Sequence, residues 1–286
     1  MKLITWNLQW GRGLDGRVDL ARIVAHARTM ADFDVLCVQE IADNFPAPGL
    51  EGNDDRDQFA ELAALLPDYA MAQGFGVDVL GEGLRRRRFG NAIFTRYSLL
   101  AVRRHALPWP ADPGKESMPR IAVEATLQAG FGAVRVTTTH LEYYSDIQRR
   151  AQAARLRLLH EEACHRALAP GKATAEGGPF DSTPQTTAAI LTGDFNFPPE
   201  HPSHAEIQSS PARDLPPYRD AWTALKGHAP HAPTFCVHDS RYSKWPYCCD
   251  FFFVSEDIVG RVRRIAVDGA TELSDHQPVL IELDDR

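Results

Sequence analysis

AAILTGDFN, residues 188–196, joins an apolar run to a carboxylate and an amide at its end. The run from Ala188 to Asp194 is mostly apolar, which is typical of a buried β-strand. Asp194 and Asn196 stand where this strand turns into a loop. Because strand ends are fixed points of a rigid scaffold, polar side chains at such positions are the usual layout of an active site. The stretch therefore predicts a strand that delivers a carboxylate and an amide to a functional edge of a sheet.

The same arrangement recurs outward from this stretch, where other apolar runs end or begin on a residue that can bind a metal ion or a phosphate. Taken alone, each such residue is more often a turn former, a helix cap or an ordinary histidine. Their repetition along the chain favours one shared site. The residues are Asn7 in ITWN, Glu40 in VLCVQE, His140 in VTTTH, Asp194 and Asn196 in LTGDFN, Asp250 in DFFFV, and Asp275 and His276 in SDHQP.

Helical spacing appears between some of the predicted strands. The segment Asp19 to Ala31 carries apolar residues at intervals of three and four. Ser145 followed by Gln148 makes a capping-box pattern, which predicts a helix from Asp146 to about His165. A weaker pattern predicts a third helix over Gln58 to Leu66.

Many short strands with few helices indicate an α/β or α+β sandwich of two sheets, with the helices outside. The continuous apolar run FFFV at 251–254 indicates a strand that is buried on both faces. The predicted strands are Lys2 to Asn7, Asp34 to Gln39, Gly90 to Thr95, Arg120 to Leu127, Ala133 to His140, Ala188 to Asp194, Asp250 to Ser255 and Pro278 to Leu283.

Composition excludes several classes of protein. The 286-residue chain has a net charge of −7, so it lacks the basic character of a protein that coats nucleic acid. Its five cysteines form an odd set without CxxC spacing, which predicts reduced, buried thiols. No signal-peptide core and no run of about 18 apolar residues is present, which predicts a soluble, cytoplasmic protein without a membrane span. The loops 105–119 and 170–187 separate no regions of different composition, so neither is a domain boundary.

The ordered motifs resemble the endonuclease/exonuclease/phosphatase superfamily. The resemblance extends over residues 3–283 and implies a single domain, residues 1–286, with a four-layer α/β/β/α sandwich of two mostly antiparallel sheets and outer helices. It also implies a divalent-metal-dependent phosphoesterase with its site at one edge. The motifs are TWNLQ, VQE, GNAIFTR, TTHLE, GDFN, CDFFFVS and SDHQPV.

Phosphate-ester hydrolysis needs a cation, a positioned water and hydrogen-bond donors on the phosphoryl oxygens. Asn7, Glu40 and Asp275 offer the hard oxygen atoms that suit Mg²⁺ or Mn²⁺. Asp194 is the candidate to orient or deprotonate the attacking water. Asn196, in the same turn, is a candidate donor to a phosphoryl oxygen.

The remaining catalytic candidates are two histidines and one carboxylate. His140 is a further candidate donor. The resemblance implies that Asp250 pairs with His276, which would hold the imidazole in one orientation and favour its protonated form. Such a charged imidazole would stabilise negative charge that develops on the phosphoryl group.

Other residues offer weaker signals for substrate binding. Arg120 opens a predicted strand and either contacts the phosphate or forms a surface salt bridge. Arg85 to Arg88 precede the GNAIF strand and are either a solvated loop or a contact for a polyanion. Loop aromatics are interpreted either as a stacking platform or as packing at the edge of the core: Trp109, Tyr143, Tyr144, Trp245 and Tyr247.

The expected substrate is a phosphate ester, with a short single-stranded nucleic acid or a small phosphodiester preferred over long duplex DNA. Diester-cleaving branches of the superfamily supply most of the local resemblance, so a phosphodiesterase or nuclease is favoured. Two alternatives stay open: a phosphomonoesterase that acts on a small phosphorylated molecule, and a catalytically inactive binding module of the same fold. No protein partner is inferred.

Overall fold

Two six-stranded sheets form the body of the protein, as described by a computed structural model for residues 1–172, 177–209 and 214–286. Residues 173–176, within the loop 170–187, lie outside the described residues. The strands are β1 (Lys2–Asn7), β2 (Val35–Asp43), β3 (Ala70–Leu80), β4 (Arg86–Thr95), β5 (Ser98–Ala106), β6 (Ile121–Ala129), β7 (Gly132–His140), β8 (Ala189–Asp194), β9 (Tyr218–Asp220), β10 (Asp250–Ser255), β11 (Val262–Val267) and β12 (Val279–Leu283).

Six α-helices connect or cover these strands in the described part of the chain. No described helix is long and apolar enough to cross a membrane. The helices are α1 (Leu20–Met30), α2 (Gln58–Leu65), α3 (Asp146–Leu168), α4 (Pro202–Gln208), α5 (Ala221–Lys226) and α6 (Glu256–Val259).

The first sheet has the strand order β11-β12-β1-β2-β4-β3, and the second has the order β5-β6-β7-β8-β10-β9. Only the pairs β1–β2 and β7–β8 are parallel among the described strands; the other neighbours are antiparallel. Both sheets are therefore mixed and mostly antiparallel, as predicted.

Three apolar clusters separate four layers. One cluster lies between the sheets and includes Leu3, Ile93 and Phe252. A second packs α1 and α2 on the outer face of the first sheet, and a third packs α3 and α4 on the outer face of the second sheet. The α/β/β/α sandwich is confirmed. The FFFV strand is buried on both faces, because Phe252 belongs to the inner cluster and Phe253 to an outer one.

Close backbone approach aligns the ends of β7 and β8. Gly193 has φ +134°, and a Cβ at this position would lie 2.0 Å from the carbonyl oxygen of Thr139. Only glycine therefore allows the pairing that sets His140 opposite Asp194. The GDFN motif thus brings together one side chain from each of two strands.

A β-bulge places Glu40. The pairing of β2 with β4 shifts between Val38 and Ile41, and Glu40 within this bulge has φ +59°. A bulge turns a side chain away from the direction that regular alternation would give it. Glu40 consequently lines the cleft described below, although its strand continues to Asp43.

The three predicted helices are present, and Ser145 accepts a hydrogen bond from the Gln148 backbone N–H as the capping pattern predicts. All five cysteines are free and buried. One prediction was wrong: Arg86, Arg87 and Arg88 lie in β4 and not in a loop before it. These arginines pair with Leu80, Val79 and Asp78 of β3, which extends β4 beyond the apolar stretch that predicted it.

Candidate active site

A cleft of about 750 Å³ is lined by residues from both sheets. Most of the predicted site residues line this cleft, and the other two lie directly behind it. Asn7 donates to Asp194, and Asp250 contacts His276. The predicted residues that line the cleft are Glu40, Arg120, His140, Asp194, Asn196, Asp275 and His276.

Glu40 and Asp275 form the acidic end of the cluster. Burial and the nearby Asp275 carboxylate raise the pKa of Glu40 to about 7. Burial also raises the pKa of Asp275. Gln9 donates from its Nε2 to Asp275 Oδ2 at 2.8 Å, while its Oε1 is buried without a hydrogen-bond partner among the described residues.

Asn7 links this acidic end to Asp194. Its Oδ1 accepts from the Gln9 backbone N–H, which fixes the orientation of the amide. Its Nδ2 then donates to Glu40 Oε1 at 3.1 Å and to Asp194 Oδ2 at 2.9 Å. In this arrangement Asn7 holds two carboxylates in place through its amide nitrogen.

Asp194 occupies the centre of the cluster. Its Oδ2 lies 3.4 Å from His140 Nε2 and 3.5 Å from His276 Nε2, and its side chain is only 1% exposed. Burial raises the pKa of Asp194 to about 6. A carboxyl group with such a pKa is well matched to accept a proton near neutral pH.

Asp250 fixes the orientation of His276. The Asp250 Oδ2 atom lies 2.9 Å from His276 Nδ1 and accepts a hydrogen bond from the Thr234 hydroxyl at 2.6 Å. Burial by itself would lower the pKa of His276, but the carboxylates of Asp250 and Asp194 outweigh it and raise that pKa well above the usual value. His276 is therefore the cationic imidazole of the site.

His140 is the neutral imidazole. Burial lowers its pKa well below the usual value, and the positive charges of Arg120 and His276 act in the same direction. Its Nε2 also lies 3.8 Å from Glu40 Oε1. The two histidines thus carry different charges although both contact Asp194.

The last two predicted residues are amide and guanidinium donors. Asn196 has φ +54°, donates from Nδ2 to the Leu141 carbonyl at 2.8 Å, and donates its backbone N–H to Asp194 Oδ1. Arg120 is 7% exposed and pairs through Nε with Glu142 Oε2 at 3.2 Å. Its Nη1 is buried without a partner among the described residues. The salt bridge of Arg120 is therefore buried, unlike an ordinary surface salt bridge.

Sequence reasoning missed three residues that hold this site together. Gln9 stands two positions after Asn7 in TWNLQ, and this proximity to a predicted site residue could have identified it. Thr234 holds Asp250, and its signal was the PTF segment before the Asp250 strand. Glu142 holds Arg120 and stands two positions after His140 in TTHLE.

Two separate groups of apolar residues line the rest of the cleft. One includes Phe45 and Phe89, whose rings meet edge to face with centroids 6.3 Å apart. The other includes Tyr143, Phe235 and Tyr242, and Phe235 packs on the His276 ring at 4.5 Å. Of the aromatic residues singled out from the sequence, Tyr143 and Tyr144 line the cleft, whereas Trp109 and Trp245 are exposed and Tyr247 lines a different cavity.

Comparison with protein-family models matches residues 4–276 to the endonuclease/exonuclease/phosphatase family. The chain belongs to the endonuclease/exonuclease/phosphatase family. The members of this family are phosphoester hydrolases. No curated protein matches the chain in a sequence search.

Solved structures of this family share the fold at low sequence identity. A family protein from Bacteroides vulgatus is 19% identical, with a TM-score of 0.67 over 99% of this chain and 98% of its own. A mannosyl-6-phosphatase from Bacteroides thetaiotaomicron is 22% identical, with a TM-score of 0.65 and 99% coverage of both chains. The human Nocturnin catalytic domain with bound sulfate is 17% identical, with a TM-score of 0.62 over 98% of this chain and 93% of its own.

The acidic end of the cluster fits the divalent cation that enzymes of this family generally use. Glu40 is partly buried and Asp275 is buried, and burial together with the nearby Asp275 carboxylate raises the pKa of Glu40. A cation between them would relieve the repulsion between the two carboxylates. Their oxygen atoms, together with the unpartnered Gln9 Oε1, are the hard donors that Mg²⁺ and Mn²⁺ prefer.

Proposed function

We propose that this protein is a divalent-metal-dependent phosphodiesterase that hydrolyses its substrate by attack of water. The observation that carries the proposal is the arrangement around Asp194. This buried carboxylate lies within 3.5 Å of a neutral His140 and a cationic His276 on the floor of a cleft. Such an arrangement offers a base, neutral donors and a positive charge to one phosphoryl group.

The cation would be held by Glu40 and Asp275. Asn7, predicted from the sequence as a third ligand, already accepts from the Gln9 backbone N–H at Oδ1 and is assigned here to fixing the Glu40 side chain. When bound, Mg²⁺ or Mn²⁺ would supply Lewis-acid stabilisation of charge on the phosphoryl oxygens. The raised pKa of Glu40 motivates this assignment, because the carboxylate then needs a partner to stay charged.

Asp194 orients the attacking water and accepts its proton at Oδ2 while the water oxygen bonds to phosphorus and the ester P–O bond breaks. The departing alkoxide takes up a proton from solvent water. The Asn196 backbone N–H and the Asn7 amide hold the two Asp194 oxygens in fixed positions. His276, which stays protonated because of Asp250, donates from Nε2 to a phosphoryl oxygen and stabilises the charge that develops there. His140 and the second N–H of the Asn196 amide are further donors.

Arg120 contacts the substrate through its free Nη1. Glu142 orients the guanidinium by accepting a hydrogen bond from Nε. The buried Nη1 has no hydrogen-bond partner among the described residues and is therefore free to donate to a substrate. A guanidinium presented in this way favours an anionic oxygen.

The shape of the cleft favours a diester over a monoester. A phosphodiester carries two organic substituents on the reacting phosphate, and the cleft offers two separate apolar surfaces, one at Phe45 and Phe89 and one at Phe235 and Tyr242. The second candidate function is a phosphomonoesterase, which the likeness to a mannosyl-6-phosphatase favours.

Three chromogenic measurements test the proposal. Hydrolysis of bis-p-nitrophenyl phosphate should require Mg²⁺ or Mn²⁺, stop with EDTA, and exceed hydrolysis of p-nitrophenyl phosphate. A preference for p-nitrophenyl phosphate would favour the monoesterase instead. Absence of both activities with either metal would favour the inactive binding module and contradict the proposal.

A further inference from the structure

The four consecutive arginines at 85–88 differ in what they contact. Arg85 pairs with Asp55 at 2.7 Å, and Arg86 pairs with Asp78 at 2.8 Å. Arg88 lies 3.5 Å from Asp43 and 3.7 Å from Asp78. These three arginines are neutralised by carboxylates, so their charges serve the local structure.

Arg87 has no such partner. No carboxylate of the described residues lies within ion-pair distance of it, and its Nε is buried without a hydrogen-bond partner there. Arg87 lines the same cleft as Glu40 and His276. A cation that is partly buried, unpaired and turned toward a cleft is a binding feature for an anion.

The alternation of β4 explains why Arg87 alone faces the cleft. Arg87, Phe89, Asn91 and Ile93 point to one face of the strand, because side chains alternate and the pairing irregularities lie in β2 and β3. Ile93 packs between the sheets, Asn91 donates to the Ile121 carbonyl, and Phe89 and Arg87 line the cleft. The face that builds the inner core therefore continues as a wall of the cleft.

The register of β2 on β4 gives the separation of Glu40 and Arg87 along the backbone of β4. Glu40 lies in the bulge opposite Asn91, between the pairs Val38–Ala92 and Ile41–Gly90. Arg87 precedes Asn91 by four residues, which corresponds to about 13 Å along an extended strand. Phe89 occupies the position between them on this face and contacts the Phe45 ring.

We propose that Arg87 binds a second anionic group of the substrate, about 13 Å along β4 from the reacting phosphate. The proposal rests on the function assigned above and narrows the substrate to an extended phosphodiester, namely a short single-stranded oligonucleotide. Because about 13 Å exceeds the separation of neighbouring phosphates on one strand, the two phosphates are not adjacent. Phe89 and Phe45 provide an apolar surface for bases between them, since bases stack on aromatic side chains without strong sequence preference.

The test compares two neighbouring arginines of the same strand. Arg87→Ala removes the unpaired charge, and Arg86→Ala removes a paired charge on the opposite face. Binding of fluorescein-labelled trithymidylate is measured by anisotropy with Ca²⁺ as the metal, and binding of thymidine 5′-monophosphate is measured by calorimetry. Thermal unfolding of each variant checks that the fold is retained.

Arg87→Ala should weaken trithymidylate binding about tenfold and reduce its salt dependence by roughly 0.7 log units per log salt, as expected for one lost phosphate contact on a single strand. Binding of thymidine 5′-monophosphate should change less than about twofold, and Arg86→Ala should change neither ligand by more than that. Equal effects of the two substitutions on trithymidylate would overturn the proposal. This outcome is distinct from failure of the proposed function, which would appear as absent diester hydrolysis by the unaltered protein.

Discussion

Buried aspartates contact histidine side chains in two separate clusters of the described residues, and the two clusters differ in which polar atoms they leave without a hydrogen-bond partner. Asp250 holds His276 beside the cleft, and its Oδ1 is buried without a partner among the described residues. Asp220 contacts His204 Nε2 at 3.1 Å and His231 Nε2 at 2.6 Å. The spacing of ligand atoms within 4.8 Å fits a metal ion both at Asp220 and in a group that contains His276.

Every oxygen of Asp220 is already satisfied. Its Oδ1 accepts from the Trp222 backbone N–H as the N-cap of α5, and its Oδ2 also accepts from the Thr223 hydroxyl. Gln208 accepts the Asp220 backbone N–H at Oε1 and therefore directs its Nε2 to His204 Nδ1. His204 then carries its proton on Nε2, facing Asp220, and has no lone pair there for a metal.

The comparison shows that residue types and spacing are insufficient to identify a site. The Asp220 cluster uses its groups to fix α4, β9 and α5 against one another. The cluster around Asp194 instead keeps buried polar atoms unsatisfied and carboxylates with raised pKa values, such as Glu40 and Asp194. Unsatisfied groups of this kind are costly to the fold, so they indicate where a ligand supplies the missing partners.

The largest expected difference between the clusters concerns turnover. Asp194→Asn removes the proposed base and should lower kcat for bis-p-nitrophenyl phosphate by about 10³-fold. Asp220→Asn, the matched change in the other cluster, should leave kcat of the folded protein within about twofold. Steady-state kinetics on both variants measures this contrast, and a similar loss in Asp220→Asn would remove it.

The next effect on kcat tests whether Asp250 and His276 act together or independently. Asp250→Asn and His276→Ala should each lower kcat by about 10²-fold, because Asp250 acts by orienting and charging His276. The double variant should be little slower than either single variant. Losses that multiply would show that the two residues act independently.

The free energy of unfolding should depend more on the Asp220 cluster than on the cluster around Asp194, which is the reverse of the order expected for kcat. Asp220→Ala removes the cap of α5 and leaves two histidines without their acceptor, so it should lower the free energy of unfolding by about 2–4 kcal/mol. Urea unfolding followed by circular dichroism measures the change. Asp194→Asn is the matched variant, and we expect it to be less destabilising because burial already disfavours the charged form of the Asp194 carboxyl group.

A smaller effect concerns how the free energy of unfolding changes at acidic pH. Burial by itself would raise the pKa of Asp220, but hydrogen bonds from His204 and His231 outweigh it and lower that pKa. A carboxylate with a depressed folded pKa stabilises the protein fully above its unfolded pKa of about 3.9, and this contribution is lost as pH falls toward the folded value. The stability difference between the protein and Asp220→Asn should therefore shrink from pH 5 to pH 2. A constant difference would exclude this linkage.

The sequence predicted which side chains meet around Asp194, and the reason is physical. Asn7, His140 and Asp194 each close a strand, so a local pattern records a position at the sheet edge. The strands with clear apolar runs were predicted for the same reason. Four strands were missed. Glycines and polar residues interrupt AMAQGFGVDVL in β3, charged residues interrupt SLLAVRRHA in β5 and VRRIAV in β11, and β9 has only three residues.

The Asp220 cluster and the role of Arg87 had no local signal. His204 and His231 stand 16 and 11 residues from Asp220, and only the packing of α4 and β9 brings them together. The arginine run was identified as a possible anion contact, but the sequence did not distinguish its members. The pairing of β3 with β4 makes that distinction, because it turns alternate arginines to opposite faces.

Mn²⁺ binding measured by isothermal titration calorimetry separates a metal site at Glu40 from one at Asp220, because it does not depend on turnover. We expect Glu40→Gln to weaken Mn²⁺ binding by at least about tenfold, while His231→Ala in the Asp220 cluster should leave the affinity unchanged. Loss of binding in His231→Ala with full affinity in Glu40→Gln would place the metal in the cluster that is assigned a structural role here.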